Sequence, residues 1–202
     1  ELLQENFDQL DIKTQKEYLM QIMQGTQRMQ NLLENLLVWA RSQMDAVNYE
    51  PVEIQVSELV KDGLRQVGAN IASKKVRIQT DVQDELKLFA DYSMLITVLR
   101  NILMNAVKFS FPGGTIDIRA YADAEKGHIT VLDEGIGIQP EIQEKLFNEN
   151  AYYSTPGTSG EAGSGLGLVI SKDFMEKNNG TLSVKSVPGK GSEFTMSLPL
   201  AP

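Results

Sequence analysis

The stretch Asn101-Ile102-Leu103-Met104-Asn105-Ala106-Val107-Lys108-Phe109-Ser110 closes a helix predicted over residues 91 to 109 and divides it into two unlike faces. Leu95, Leu99, Ile102, Leu103 and Ala106 fill one side at helical spacing. Asn101, Asn105 and Lys108 stand at i, i+4 and i+7 within a narrow arc on the other. Taken alone, such an arc is what a solvated helix face usually presents. It also suits a metal-bound polyphosphate: an amide oxygen is a ligand for a hard divalent cation, and a lysine can meet a phosphate oxygen. That second reading requires phosphate-binding loops close by.

Such loops follow in the chain. Asp133-Glu134-Gly135-Ile136-Gly137-Ile138 ends a predicted strand, placing a carboxylate at the strand end beside glycines that allow close backbone approach to a ligand. An ionised carboxylate only accepts hydrogen bonds, so in a purine pocket Asp133 would match the amine of adenine and oppose the oxygen of guanine. The plainer alternative is an ordinary Asp-Gly turn. Residues 148 to 164, rich in Gly, Ser and Thr, are too long for an idle connection and fit a lid or a disordered segment. They end in Gly163-Ser164-Gly165-Leu166-Gly167-Leu168, which runs into an apolar helix and so offers backbone N–H groups to an anion. The G-x-G-x-G spacing after a polar loop is not the dinucleotide fingerprint. No P-loop exists either: Gly189-Lys190-Gly191 sits in a hairpin turn.

Around these motifs, alternation predicts strands over 76 to 82, 86 to 90, 115 to 121, 128 to 132, 181 to 187 and 192 to 198, with helices over 57 to 73 and 165 to 178. Hairpins are expected across Asp123 to Gly127 and at Pro188-Gly189-Lys190-Gly191. Hairpins within a mixed sheet, with helices gathered on one face, give an α+β fold, a two-layer α/β sandwich.

Ahead of it, residues 14 to 47 carry a helical stripe of Leu19, Ile22, Met23, Met29, Leu32, Leu33, Leu36, Leu37, Ala40, Met44 and Val47, near the seven-residue spacing of a helix pair. Thr14 and Glu17 read as a capping box. Leu2, Leu3 and Phe7 read as the stub of an earlier helix, so a helical hairpin lacking most of its first arm is expected, as part of a longer protein. Its unpartnered stripe predicts self-association. The pattern breaks at Asn48 to Pro51, giving domains over 1–50 and 51–202.

The composition narrows the chemistry. The 202 residues contain no cysteine and one histidine, which excludes disulfides, thiolate chemistry and paired-histidine zinc sites. A net charge of -8 argues against a nucleic-acid partner. No apolar run is long enough to span a membrane, so a cytoplasmic, non-inserted chain is expected. The histidine, His128, has the outward phase on its strand and is expected to be plainly exposed.

In order and content these motifs resemble those of the sensor histidine kinases, whose ATP-binding domain is shared with gyrase-type ATPases, heat-shock chaperones and mismatch-repair ATPases. Asn101 to Ser110 is similar to the N box of that family and Asp133 to Gly137 to its first glycine box. Phe147 is similar to its lid phenylalanine, and Gly163 to Leu168 to its second glycine box. Ser154-Thr155-Pro156-Gly157-Thr158 and Leu33-Glu34-Asn35-Leu36-Leu37 are most similar to kinases of two-component or hybrid systems. The resemblance implies a Bergerat-type ATP-binding fold behind a dimerisation and phosphoacceptor hairpin, with ATP and Mg²⁺ as cofactors. It implies that Asn105 ligates Mg²⁺, that Asn101 and Lys108 contact phosphates, and that Asp133 holds the adenine amine. Gly163, Ser164, Gly165, Leu166, Gly167 and Leu168 would wrap the triphosphate. Phe109, Gly135, Gly137, Ile138, Phe147, Ser154 and Thr155 would complete the binding site.

The implied activity is transfer of the γ-phosphoryl group to a histidine of the hairpin, for relay to an aspartate of a response-regulator receiver domain, within a homodimer formed through the hairpin. Two departures bear on this. The acceptor histidine is absent from the hairpin segment, so the chain by itself is expected not to phosphorylate itself. Ala162 stands where related lids often carry a basic residue. One rival is an ATP-hydrolysing switch, against which Asn101 speaks, since hydrolytic relatives place a glutamate there and an amide cannot act as that base. The other is a degenerate kinase serving as a dimerising, nucleotide-free binding module, against which Asn105 and Asp133 speak.

Overall fold

A computed structural model describes residues 10–43, 49–147, 155–161, 163 and 165–201; within the first helix, the side chains of residues 24, 27, 28, 30–32 and 34–43 lie outside it. The elements run α1 (Ile12–Gln43), β1 (Pro51–Gln55), α2 (Val56–Lys74), β2 (Arg77–Val82), β3 (Lys87–Asp91), α3 (Tyr92–Phe109), β4 (Thr115–Ala122), β5 (Lys126–Asp133), α4 (Pro140–Gln143), α5 (Gly167–Lys177), β6 (Thr181–Val187) and β7 (Gly191–Pro199). All six expected strands form. Five of them make one mixed sheet in the order β2-β4-β5-β7-β6, in which β2 and β4 are parallel and the other pairs antiparallel.

The sequence reading missed two elements. β1 pairs antiparallel with β3 as a separate two-stranded sheet, so the expected single sheet is in fact two. Its five residues pass straight into α2 at Val56, with no turn residue to mark the boundary. The four-residue α4 is too short to show a helical period.

The inward phase of the large sheet, Ile116, Ile118, Ala120, Ile129, Val131, Phe194, Met196 and Leu198, is buried beneath the helices. Among these α3 is the axle, packed between α2 and α5 and against β5. Leu95, Leu99, Ile102 and Leu103 are at most 1% exposed, and each contributes roughly 1.5–3 kcal/mol by burial. Gly63 of α2 permits the close crossing of α2 and α3: a Cβ there would come within 2.9 Å of Leu99 Cδ2.

α3 is pinned at its start by polar groups. Asp91 caps it by accepting from Met94 N at 3.0 Å and from the Ser93 hydroxyl at 2.7 Å, while its other oxygen accepts from Glu50 N at 3.1 Å. The Asp91 N–H donates to Oδ1 of Asn178, which is fully buried at the end of α5 and itself donates to the Phe174 carbonyl at 2.7 Å. One carboxylate and one amide thereby join the entering chain, β3, α3 and α5.

The N-terminal helix departs from expectation at its cap. Asp11, not Thr14, begins it, accepting from Lys13 N at 2.9 Å and Thr14 N at 3.0 Å, and the Thr14 hydroxyl donates to the same carboxylate. An anion accepts both amides better than a hydroxyl accepts one, so the Thr14–Glu17 box is not used. Leu19, Ile22, Met23, Met29 and Leu33 of the stripe are exposed. The other stripe positions and the expected stub at Leu2, Leu3 and Phe7 lie outside the described residues and side chains. Among the described residues, no helix is long and apolar enough to cross a membrane.

Replacing Asn178 with Ala strands the buried Asp91 N–H. The expected loss is about 2 kcal/mol of unfolding free energy, read as a lowered urea midpoint at unchanged slope. A loss below about 0.5 kcal/mol would mean that the amide finds another partner.

Candidate functional site

The polar arc of α3 faces the two glycine-containing loops, as the sequence suggested. Asn101, Asn105, Lys108 and Phe109 are half-buried along one side of the helix. The amide Nδ2 of Asn101 donates to the Gly167 carbonyl at 3.1 Å and contacts the Ser171 hydroxyl at 3.2 Å, linking α3 to the first turn of α5. α5 starts at Gly167, two residues later than predicted, and its N-cap residue Leu166 supplies no side-chain cap. The first N–H groups of a helix lack intrahelical partners and can serve an anion. Among the described residues the Asn105 amide takes no hydrogen bond, and it shares a face of α3 with Asn101 and Lys108.

Asp133 ends β5 at 2% exposure, with its Oδ1 accepting from Gly135 N at 2.8 Å. Burial raises its pKa to about 6, against the opposing pull of the Gly135 and Ser192 amides. The loop after it is seated on both sides. Ile136 N donates to the Phe109 carbonyl at 3.3 Å, Gly189 N to the Ile136 carbonyl at 2.8 Å, and Ile138 N to the Ser186 hydroxyl at 2.8 Å. The glycines here serve packing as well as any ligand. A Cβ on Gly135 would strike the Phe109 carbonyl, and one on Gly137, whose φ is +67°, would strike the backbone of Val187. Ile138, Phe147 and Leu168 are partly buried against the core, and Leu166 is buried.

The Lys108 ammonium lies 4.6 Å from the Phe109 ring centroid. Burial lowers its pKa, Glu161 opposes that, and Lys74 adds to it. Gly163 and Gly165 are described beside α5, and Thr155 lies half-buried. Ser154 and Ser164 lie outside the described residues, as does Ala162.

Sequence reasoning missed Lys74 and Glu161, which meet at 2.6 Å beneath Lys108. They are 87 residues apart and each is of a type common on surfaces, so no local pattern joins them. His128 is covered, against expectation. It has the outward phase but is only 15% exposed, with Nδ1 at 2.9 Å from the Ser197 hydroxyl and Nε2 at 2.8 Å from Asp123, and it stacks on Tyr121. Cross-strand neighbours, which phase alone does not reveal, cover it. An open depression of about 490 Å³ lined in part by Glu53, Asp84 and Glu85 borders Leu86 and Ala122, at the end of the sheet away from Asp133.

Residues 90–202 match the family model described as histidine kinase-, DNA gyrase B- and HSP90-like ATPase. The chain belongs to this family. Within it, the phosphate regulon sensor protein PhoR of Pseudomonas aeruginosa is 34% identical over 88% of the chain. The chain spans 40% of PhoR, less than half of that relative's length. Among solved structures, the full-length ShkA–AMPPNP complex aligns with 93% of the chain and 39% of its own at a TM-score of 0.75 and 24% identity. Histidine kinase ThkA, in complex with the response regulator protein TrrA, aligns over 96% of the chain and 53% of its own at 0.74 and 20%. These two likenesses establish the α+β fold, as expected.

The elevated Asp133 pKa links the family's first glycine box to stability. The folded pKa of about 6 exceeds the ordinary aspartate value of 3.8, so Asp133 contributes stability that is complete below about pH 4 and is lost as pH rises through about 6. The expected loss is on the order of 2–3 kcal/mol. Subtracting the urea-unfolding pH profile of Asp133→Asn from that of the wild type isolates this slope, and superimposable profiles would show that Asp133 titrates normally.

Proposed function

We infer that this chain binds Mg-ATP between α3 and the two glycine loops and works as the catalytic part of a sensor histidine kinase. In this reading it delivers the γ-phosphoryl group to a histidine on a helical hairpin of which residues 1–50 form the end, while residues 51–202 form the ATP-binding domain. The observation that carries it is that three groups gather about one helix: the Asn101–Asn105–Lys108 arc of α3, the buried carboxylate of Asp133, whose loop packs on Phe109, and the start of α5, bonded to Asn101. An acceptor for the adenine amine and a cationic, amide-lined floor for a polyphosphate are what this chemistry requires.

The residues fit a divalent ion. Among the described residues the Asn105 oxygen has no partner, and it is neutral, a suitable hard ligand that does not compete with phosphate charge. Bound there with ATP, Mg²⁺ would supply neutralisation of the phosphate oxygens. The chain's own groups do the rest. Asp133, ionised, accepts from the adenine amine and excludes guanine. Lys108 meets phosphate oxygens, and the α5 amides of Gly167 and Leu168, continued by Gly163 and Gly165, line the triphosphate path. Asn101 holds α5 against α3. Its amide presents donors, not a carboxylate base, to its surroundings, which favours transfer over hydrolysis.

The fold shared with ThkA in its regulator complex supports a receiver domain as the partner that takes the phosphoryl group onward. The exposed apolar positions of α1 support a second copy of the chain as the partner of that helix.

Calorimetric titration with ATP and with GTP, each with Mg²⁺, tests the pocket. ATP alone should bind, near one per chain, and Asp133→Asn should weaken it by about tenfold or more, the worth of a charge-assisted hydrogen bond. Because protonation removes the acceptor, affinity should also fall as pH drops below about 6. Equal binding of ATP and GTP, or none by the folded chain, would overturn the reading.

A further inference from the structure

Lys74 is the last residue of α2, and its side chain is only 5% exposed. A buried ammonium needs acceptors. Two are present: the Lys108 carbonyl at 2.6 Å and Glu161 Oε1 at 2.6 Å. The first is among the carbonyls left without an intrahelical partner at the end of α3, where the helix dipole favours a cation. The second belongs to a closed turn. Gly157 N donates to the Glu161 carbonyl at 2.8 Å, Gly160 N to the Gly157 carbonyl at 3.0 Å, and Ser159 N to Glu161 Oε2 at 2.8 Å. The same turn is fastened to α3 independently of Lys74. Thr158 N donates to the Lys108 carbonyl at 3.1 Å and the Thr158 hydroxyl to the Ser110 carbonyl. A Cβ on Gly157 would come within 2.6 Å of Lys108 Cγ, so the turn lies directly against the Lys108 side chain.

Three charges therefore share one neighbourhood: Lys74, Glu161 and Lys108. We propose that Lys74 is a positioning residue for nucleotide phosphate, holding the Glu161 carboxylate in a pair of its own so that the Lys108 ammonium stays free for the cleft. This rests on the inferred role of Lys108 as a phosphate contact. The local sum is +1 with all three in place. Without Lys74 it is zero, and the half-buried Glu161 has Lys108 as the cation at hand. Without Glu161 it is +2. The turn keeps its Thr158 bonds in each case, so the effect is one of charge more than of fold.

The test is the affinity of the chain for Mg-ATP and for adenosine, whose ratio reads the phosphate contribution alone. Lys74→Met should weaken Mg-ATP by on the order of tenfold and leave adenosine near its wild-type affinity. Glu161→Gln should tighten Mg-ATP several-fold. The double variant Lys74→Met/Glu161→Gln, with the sum restored to +1, should return the ratio to within about twofold of wild type. Lys74→Arg, which keeps the charge, should recover most of the affinity lost in Lys74→Met. A purely structural Lys74 would lower both ligands together, and removal of its partner would not rescue it. That outcome, or an unchanged ratio in Lys74→Met, overturns the proposal. If Lys74→Met does not fold, Glu161→Gln decides: unchanged or weakened Mg-ATP binding overturns it. Wild-type protein that binds adenosine but gains nothing from the phosphates overturns the role of Lys108 itself.

Discussion

The unpaired carbonyls at the end of α3 are the constraint on which the rest of the structure depends. A helix leaves its last carbonyls without partners, and burying that end demands donors from elsewhere. Here they come from three separate parts of the chain. Ile136 N serves Phe109, Lys74 Nζ and Thr158 N serve Lys108, and the Thr158 hydroxyl serves Ser110. The first glycine loop, the end of α2 and the turn at 157–161 are thus placed relative to one another by one helix terminus. At the other end of α3, Asp91 and Asn178 make the matching connection to the entering chain and to α5. The polar arc sits on a helix held at both ends and packed along its length, which is the condition for a precise site.

Much of this was legible because it repeats locally. Alternation in Ile116–Ile118, Ile129–Val131 and Phe194–Met196–Leu198 marked the sheet, and the spacing of Asn101, Asn105 and Lys108 marked their shared face. β1 was not legible because it is short, with only Ile54 buried, and runs into α2 without punctuation. The Asp11 cap is masked in the sequence by Thr14 and Glu17, a capping-box pattern three residues later. The covered state of His128 depends on Ser197, a neighbour across the sheet and 69 residues away. The Lys74–Glu161 pair depends on a meeting of α2 with a turn 87 residues later. What the sequence hides is long-range pairing of polar groups, whose identity carries no period.

The glycines show how a correct signal can rest on a partial reason. Gly135 and Gly137 stood out as places where backbone would approach a ligand. In the structure the approach is first to protein: to the end of α3 in one case and to the β6–β7 turn in the other. Family motifs of this kind encode how the loops are mounted as well as what they bind. A substitution there would injure the site by displacing its supports even where no ligand atom is touched.

The position of β7 between β5 and β6 bears on how the chain is made. It follows both β5 and β6 in the chain, yet it pairs with them on its two sides. Until residue 199 is available, β5 has one unpaired edge and β6 has no strand partner. The apolar faces of Ile129, Val131 and Phe194 cannot come together before then. Such a sheet closes through contacts distant in sequence, which form slowly and leave strand edges exposed in the interim. A growing chain would therefore carry its helices and one half of its sheet as an open edge until β7 emerges, and release within that strand would yield a molecule prone to aggregate rather than a smaller stable domain.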